Sequence, residues 1–176
     1  MKDLFTALFT LALVIGGFNV AGAQVVSDVN VSANVLATLG ISTESNINFG
    51  NISDTSEPVI DPNNDTHNDL GTVFSIGRVD ISGGNDAEVT ITFNNSATLK
   101  GNGDPDNTMT FNLDIVGDSE VENQGTATAV ASGDQENLSG SGAFYLWLGG
   151  NLGNLEDQAA DDYSSDEPIT VSVEYN

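Results

Sequence analysis

The chain predicts an all-β fold, an antiparallel β-sandwich of about seven to nine strands. Three observations predict it. Apolar residues recur at every second position in most of the ordered stretches, the period of an extended chain with one buried face. Those stretches are short, stand roughly 8–15 residues apart, and are separated by Gly, Asn and Asp clusters. Beyond the first 23 residues, no segment carries a convincing 3.6-residue period.

Taken in order, residues 1–23 read as a secretory leader. Lys2 gives the positive end, Leu4–Val14 is apolar apart from two threonines, and Ala21-Gly22-Ala23 is a small-x-small cleavage site that leaves Gln24 first. The apolar run is short for a membrane span, so no stable membrane insertion is expected after cleavage. Asp28–Ile41 follows, with Val29, Val31, Ala33, Val35, Ala37, Leu39 and Ile41 alternating with mostly small or polar partners. It is about twice the length of an ordinary strand. Ser45–Ile52 puts Ile47 and Phe49 on one face, with Gly50 as a bulge or close-approach point. Ser53–Leu70 is a polar surface loop.

Gly71–Ser82 and Ala87–Asn94 flank Gly83-Gly84-Asn85-Asp86 and read as a hairpin. A short strand or turn starts at Leu99, and GNGDPDN (101–107) breaks it. Thr108–Val116 alternates through Met109, Phe111, Leu113 and Ile115. Gly117–Gln124 is an acidic loop, Thr126–Ala131 a weak strand, and Ser132–Gly142 a Gly/Ser/Asp-rich connection. Ala143–Leu148 places Phe144, Leu146 and Leu148 on one face and Tyr145 and Trp147 on the other. Leu152–Tyr163 is one helical turn or an extended crossing. Ile169–Asn176 closes the chain, with Ile169, Val171, Val173 and Tyr175 alternating with polar residues. The domain organisation read from this pass is leader 1–23, an N-terminal extension 24–36, and one sandwich over 37–176.

Composition narrows the function. The 176 residues contain 3 Lys+Arg against 26 Asp+Glu, a formal net charge of −23. Loss of Lys2 and Asp3 with the leader leaves that net unchanged, with Arg78 and Lys100 as the remaining cations. A chain with no basic footprint cannot neutralise phosphates, which excludes nucleic acid as a partner, and an anionic membrane surface with it. Copies repel one another, over about 8 Å at physiological salt and about 3 Å at molar salt. A halophilic, saline setting is the expectation. There is no cysteine, so neither disulfides nor thiol chemistry contribute.

Enzyme chemistry finds no constellation. His67 is the one histidine, there is no G-x-S-x-G elbow, and carboxylate pairs carry no information on so acidic a surface. The chain is therefore read as not an enzyme. One loop offers a metal site: Asp61, Asn63, Asp65 and Asp69 stand at the 1, 3, 5 and 9 positions of a calcium loop. Thr66 stands where such loops carry glycine, and Thr72 where they carry a bidentate glutamate, so a solvated acidic loop competes with calcium here. No other cofactor is implied. Trp147, Tyr145 and Tyr163 could form a sugar platform or, alternatively, pack in the core. N-x-S/T sequons fall at Asn30, Asn51, Asn64, Asn94 and Asn137.

The two ends together carry a family resemblance. DVNVSANVLATLGISTESNINFGNI resembles the N-terminal region of chaperone–usher pilins, and PITVSVEYN resembles their terminal strand with its penultimate tyrosine. The INFG, GG-x-x-A-x-V-x-I, M-T-F-x-L and ITVSVEY pieces, in that order, are also similar to an uncharacterised family of secreted bacterial domains with a pilin-like or spore-coat-like sandwich. The resemblance implies an incomplete immunoglobulin-like sandwich, completed by the N-terminal extension of the next subunit. It implies Val29, Val31, Ala33 and Val35 as donor residues, and Ile169, Val171, Val173 and Tyr175 as the strand bordering the acceptor groove. It also implies a secreted, cell-surface (fimbrial) subunit whose partners are other copies in a head-to-tail filament, a periplasmic chaperone and an outer-membrane usher. The alternatives are a self-complete surface or matrix domain and an adhesive carbohydrate- or calcium-binding module. In this reading Asp28–Ile41 divides, Val29–Val35 leaving and Ala37–Ile41 staying.

Overall fold

The computed structural model describes residues 33 and 35–176. The leader, and most of the 24–36 extension including Val29 and Val31, lie outside them. The described chain is all-β. Its strands are β1 (Gly40–Ser45), β2 (Val59–Ile60), β3 (Gly77–Ser82), β4 (Glu88–Phe93), β5 (Ser96–Gly101), β6 (Thr108–Asp118), β7 (Thr128–Ala129), β8 (Asp134–Asn137), β9 (Ala143–Asn151), β10 (Tyr163–Ser165) and β11 (Val171–Tyr175). A 3-10 turn, Val121–Thr126, precedes β7.

Two antiparallel sheets form the sandwich. The larger runs β1-β3-β9-β6-β5-β10, with β2 added to β9 and β7 to β6; the smaller runs β11-β4-β8. β9 is central and long because it is apolar on both faces, as a strand covered on both sides must be. Phe144, Leu146 and Leu148 enter the core between the sheets, where they meet Val79 and Ile81 of β3, Val89 and Ile91 of β4, and Phe111 to Ile115 of β6. Trp147 points the other way, into a second small core with Val116 and Ala127.

The expected hairpin across Gly83–Asp86 does not form. β3 pairs with β1 and β9 in the large sheet, whereas β4 pairs with β11 and β8 in the small one. The turn residues bond instead to the loop after β8: Gly83 N–H donates to Gly142 O, and Asp86 N–H to Ser139 O. Gly83-Gly84-Asn85-Asp86 is thus the crossover between sheets. Other boundaries move too. The resident first strand begins at Gly40, not Ala37, and runs to Ser45. The stretch read as a connection over 132–142 contains β8, whose Asp-Gln-Glu-Asn sequence has no strand signature. The 53–70 loop contains β2. Gly50 is a close-approach point as expected: its φ is +71°, and a Cβ there would meet Val73 O.

The strand directions define two poles. One holds Gly40, paired with Ser82, together with Gly83-Gly84 and Tyr175. The other holds the Asn48–Ser75 bridge, Gly71–Phe74 and the start of β11. Seven residues separate Ser82 from Ser75, about 23 Å at strand rise.

Candidate functional site

A groove of about 1340 Å³ reaches down to the core, with Ile41 and Thr43 of β1 and Ile169 and Val171 among its lining residues. Its floor is made of inner-face side chains, Val79, Leu148, Phe111 and Leu99. Of these, Val79, Leu148 and Phe111 are buried; the exposure lies in other residues, where Ile41 is 49% exposed and Ile169, Val171 and Val173 are half-buried although they pack against the main core.

The strands beside the groove are sheet edges. Among the described residues β11 has one ladder partner, β4, and β1 has one, β3. Each therefore presents a row of backbone N–H and C=O groups with no strand beside it, an arrangement that templates pairing. The remaining edges are blunted. β8 carries Asp134 and Glu136 within four residues, and β10 is three residues long.

The four residues expected to border the groove divide. Ile169 and Val171 line it. Val173 packs half-buried along the same strand. Tyr175 does something else: its hydroxyl donates to Ala37 O at 2.8 Å and accepts from Gly84 N–H at 2.6 Å. Leu36 and Leu39 lie against Gly84 and Gly83 beside it. The penultimate tyrosine pins the root of the N-terminal extension to the pole. Immediately before this pin Val35 stands 91% exposed. Of the expected donor residues, Ala33 and Val35 are exposed; Val29 and Val31 are outside the described residues. Ile41, Phe49 and Phe111 were not foreseen as groove residues. Their alternation announces a buried face but not whether a neighbour covers it.

The loop from Asp61 is organised by its own backbone. Asp61 Oδ1 accepts from Asn63 N–H at 2.9 Å and Oδ2 from Thr66 N–H at 2.8 Å. Asn63 turns its amide to the carbonyls of Gln124 and Ala127. Asp69 Oδ2 accepts from Glu57 N–H and from the Asn68 amide. Asp65 is exposed. The four therefore do not converge, and among the described residues no three acidic or histidine side chains stand close enough to hold a metal. His67 Nδ1 accepts from Asp61 N–H, its Nε2 pairs with Asn64 Oδ1, and its ring packs on Phe74.

Trp147 is 4% exposed, so of the two roles open to it the core role holds. Tyr145 is stacked by Arg78, whose guanidinium makes a bidentate pair with Asp80 at 2.7 Å. Tyr163 donates to Ala159 O. The three aromatics do not form a sugar platform.

At the groove's margin Asp161 accepts backbone N–H groups from Gly103, Asp104 and Asp162. These bonds, Gly103's first, hold its carboxyl below the usual range. Glu136 on β8 is shifted the other way, raised by burial and secondarily by Asp134.

A family model described as "Domain of unknown function (DUF4402)" matches residues 39–175, from the foot of the Tyr175 pin to the end of β11. No curated protein matches the chain. Among solved structures it is similar to a chain of a chaperone–tip adhesin complex vital for synergistic activation of CFA/I fimbriae biogenesis, at 14% identity and a TM-score of 0.36. That match covers 77% of this chain and 41% of the other, so the chain spans less than half of its length.

Proposed function

From the premise that this chain belongs to the DUF4402 family, we propose that it is a secreted structural subunit of a cell-surface fibre. Copies join head to tail by placing residues 24–36 of one chain in the groove of the next. The observation that carries the reading is the groove lined by Ile41 and Thr43 of β1, by Ile169 and Val171, and by inner-face side chains of the large sheet, beside two strands that each have one ladder partner among the described residues. Residues 24–36 suit it. Val29, Val31, Ala33 and Val35 present one apolar face, and 24–43 holds a single acidic residue, Asp28, in a chain of net charge −23. Asp54, Asp161 and Asp162 stand at the groove's margin, where a more acidic occupant would be repelled.

The energetics allow a durable junction. Four inserted side chains of this size contribute about 4–8 kcal/mol gross. Each ladder hydrogen bond adds about 1 kcal/mol net, and the cost of ordering the segment subtracts from both. Delivery of an uncovered groove requires a periplasmic partner that shields it and an outer-membrane exit, so a chaperone and an usher belong to the proposal. The reading is structural, not catalytic; His67, with both ring nitrogens engaged locally, supports that.

The test is the size of the chain from residue 24 onward. Ladders or filaments are expected, and loss of 24–36 should leave monomers. Monomers that are indifferent to that deletion would return the chain to a self-complete surface domain. Because copies repel, assembly should quicken several-fold between 0.1 M and 1 M salt, where the screening length falls from about 10 to about 3 Å. Light scattering against salt reads this, and a salt-independent rate would refute the electrostatic part.

A further inference from the structure

Among the described residues five large apolar side chains are exposed: Val35, Leu36, Ile41, Val73 and Phe74. Ile41 walls the groove. The other four form two adjacent pairs at opposite poles. Val35–Leu36 is the root of the extension, beside the Tyr175 pin. Val73–Phe74 lies at the other pole, next to the Asn48–Ser75 bridge, and Val73 lines the groove. Val73 is 72% exposed. Gly71–Ser82 is expected as one strand, but the ladder starts only at Gly77 and Val73 lies outside it.

We propose that Val73, in the groove lining, and Phe74 beside it are the seat on which Val35, the last of the inserted side chains, and Leu36 of a second copy rest, so that consecutive subunits meet pole to opposite pole. The inference rests on strand donation and goes beyond it, because it fixes where the subunit bodies touch. A segment ending at Val35 can enter the groove of the next copy from either pole. Entry with its root at the Tyr175 pole would bring together two roots and two pins. The acceptor's own extension leaves from that same place, so growth would stop at a pair. Entry with the root at the Val73 pole leaves the acceptor's extension free, and each copy offers one pole to each neighbour. That is the head-to-tail contact that propagates without closing. It also covers both exposed apolar pairs at once, and the incoming root brings no carboxylate of its own.

A chain without cysteine makes the test direct. Full chains carrying Val35→Cys are mixed with chains carrying Val73→Cys or Asn176→Cys, the latter at the pin pole, and run without reductant. Linkage of Val35→Cys to Val73→Cys is expected, with little to Asn176→Cys. The reverse pattern would overturn the seat and leave strand donation standing. Monomers with neither linkage would overturn both. In a second arm, Phe74→Ser in the full chain should weaken assembly about tenfold, the equivalent of 1.4 kcal/mol. A synthetic 24–34 peptide, which stops short of the seat, should still block assembly of wild type and variant alike. Unchanged assembly of a folded Phe74→Ser chain would refute the seat.

Discussion

Leu146 and Val173 sit in strands of the same kind, apolar at alternate positions and facing the same core, yet their surroundings differ. β9 has ladder partners on both sides, and Leu146 is fully buried. Among the described residues β11 has one, and Val173 is half-buried. The closed region even covers the outer face of β9, where Trp147 is roofed by Val116, Ala127 and the turn before β7. The open region leaves both Ile41 and Val171 facing a groove. The difference is one ladder partner among the described residues, and it sets a sealed half of the sandwich against a half with an open edge.

The largest effect tests that division. Leu146→Ala should lower the unfolding free energy of the isolated chain by about 2–5 kcal/mol, as cavities in sealed cores do. Ile41→Ala, at a wall already half exposed, should cost it less than about 1 kcal/mol while weakening assembly measurably. Denaturant melts alongside sizing would show this. Equal losses of stability at the two positions would break the comparison.

The Tyr175 pin sharpens it. Tyr175→Phe removes a donor to Ala37 O and an acceptor for Gly84 N–H, each worth about 0.5–1.5 kcal/mol. The expected loss is about 1–2 kcal/mol, with a faster-exchanging amide at Gly84. Gly83→Ala should act in the same direction, because a Cβ there would stand 2.5 Å from the tyrosine hydroxyl. If Tyr175→Phe left Gly84 exchange unchanged, the pin would be incidental.

Much of the closed region was legible in the sequence and little of the open one. Phe144, Leu146, Leu113 and Ile115 announce buried faces by period alone, and they are buried. The Gly83–Asp86 turn misleads because a turn signature says the chain reverses, not which sheet it returns to. β8 is invisible because its pairing with Val89 and Ile91 comes from the partner strand and not from its own Asp-Gln-Glu-Asn. The groove is lined by residues far apart in sequence, and no single one of them announces it. What could be read was the apolar alternation of Ile169–Tyr175, which marks the right strand. That Tyr175 turns to Ala37 while Val171 faces the groove depends on contacts 138 residues apart. The Asp61 spacing fits a calcium loop because an Asx turn and an ion draw on the same carboxylate oxygens.

The smallest effect is a pH dependence of opposite sign in the two regions. Asp161, at the groove margin, is held low by the Gly103 N–H first and by those of Asp104 and Asp162. Its contribution is present above the ordinary carboxylate value, near about 3.9, and is lost as pH falls through its lower folded value. Glu136, on the far edge of the small sheet, is raised by burial and by Asp134. Its contribution is present below its unfolded value, near about 4.3, and is lost as pH rises through the higher folded one. Self-repulsion also relaxes on acidification, but it acts on wild type and variants together. Melting of Asp161→Asn and Glu136→Gln against wild type from pH 7 to pH 3 should therefore diverge. At pH 7 Asp161→Asn should melt below wild type and Glu136→Gln above it, and both differences should shrink toward pH 3. If both variants moved the same way at pH 7, the groove margin and the blunted edge would not be electrostatically distinct.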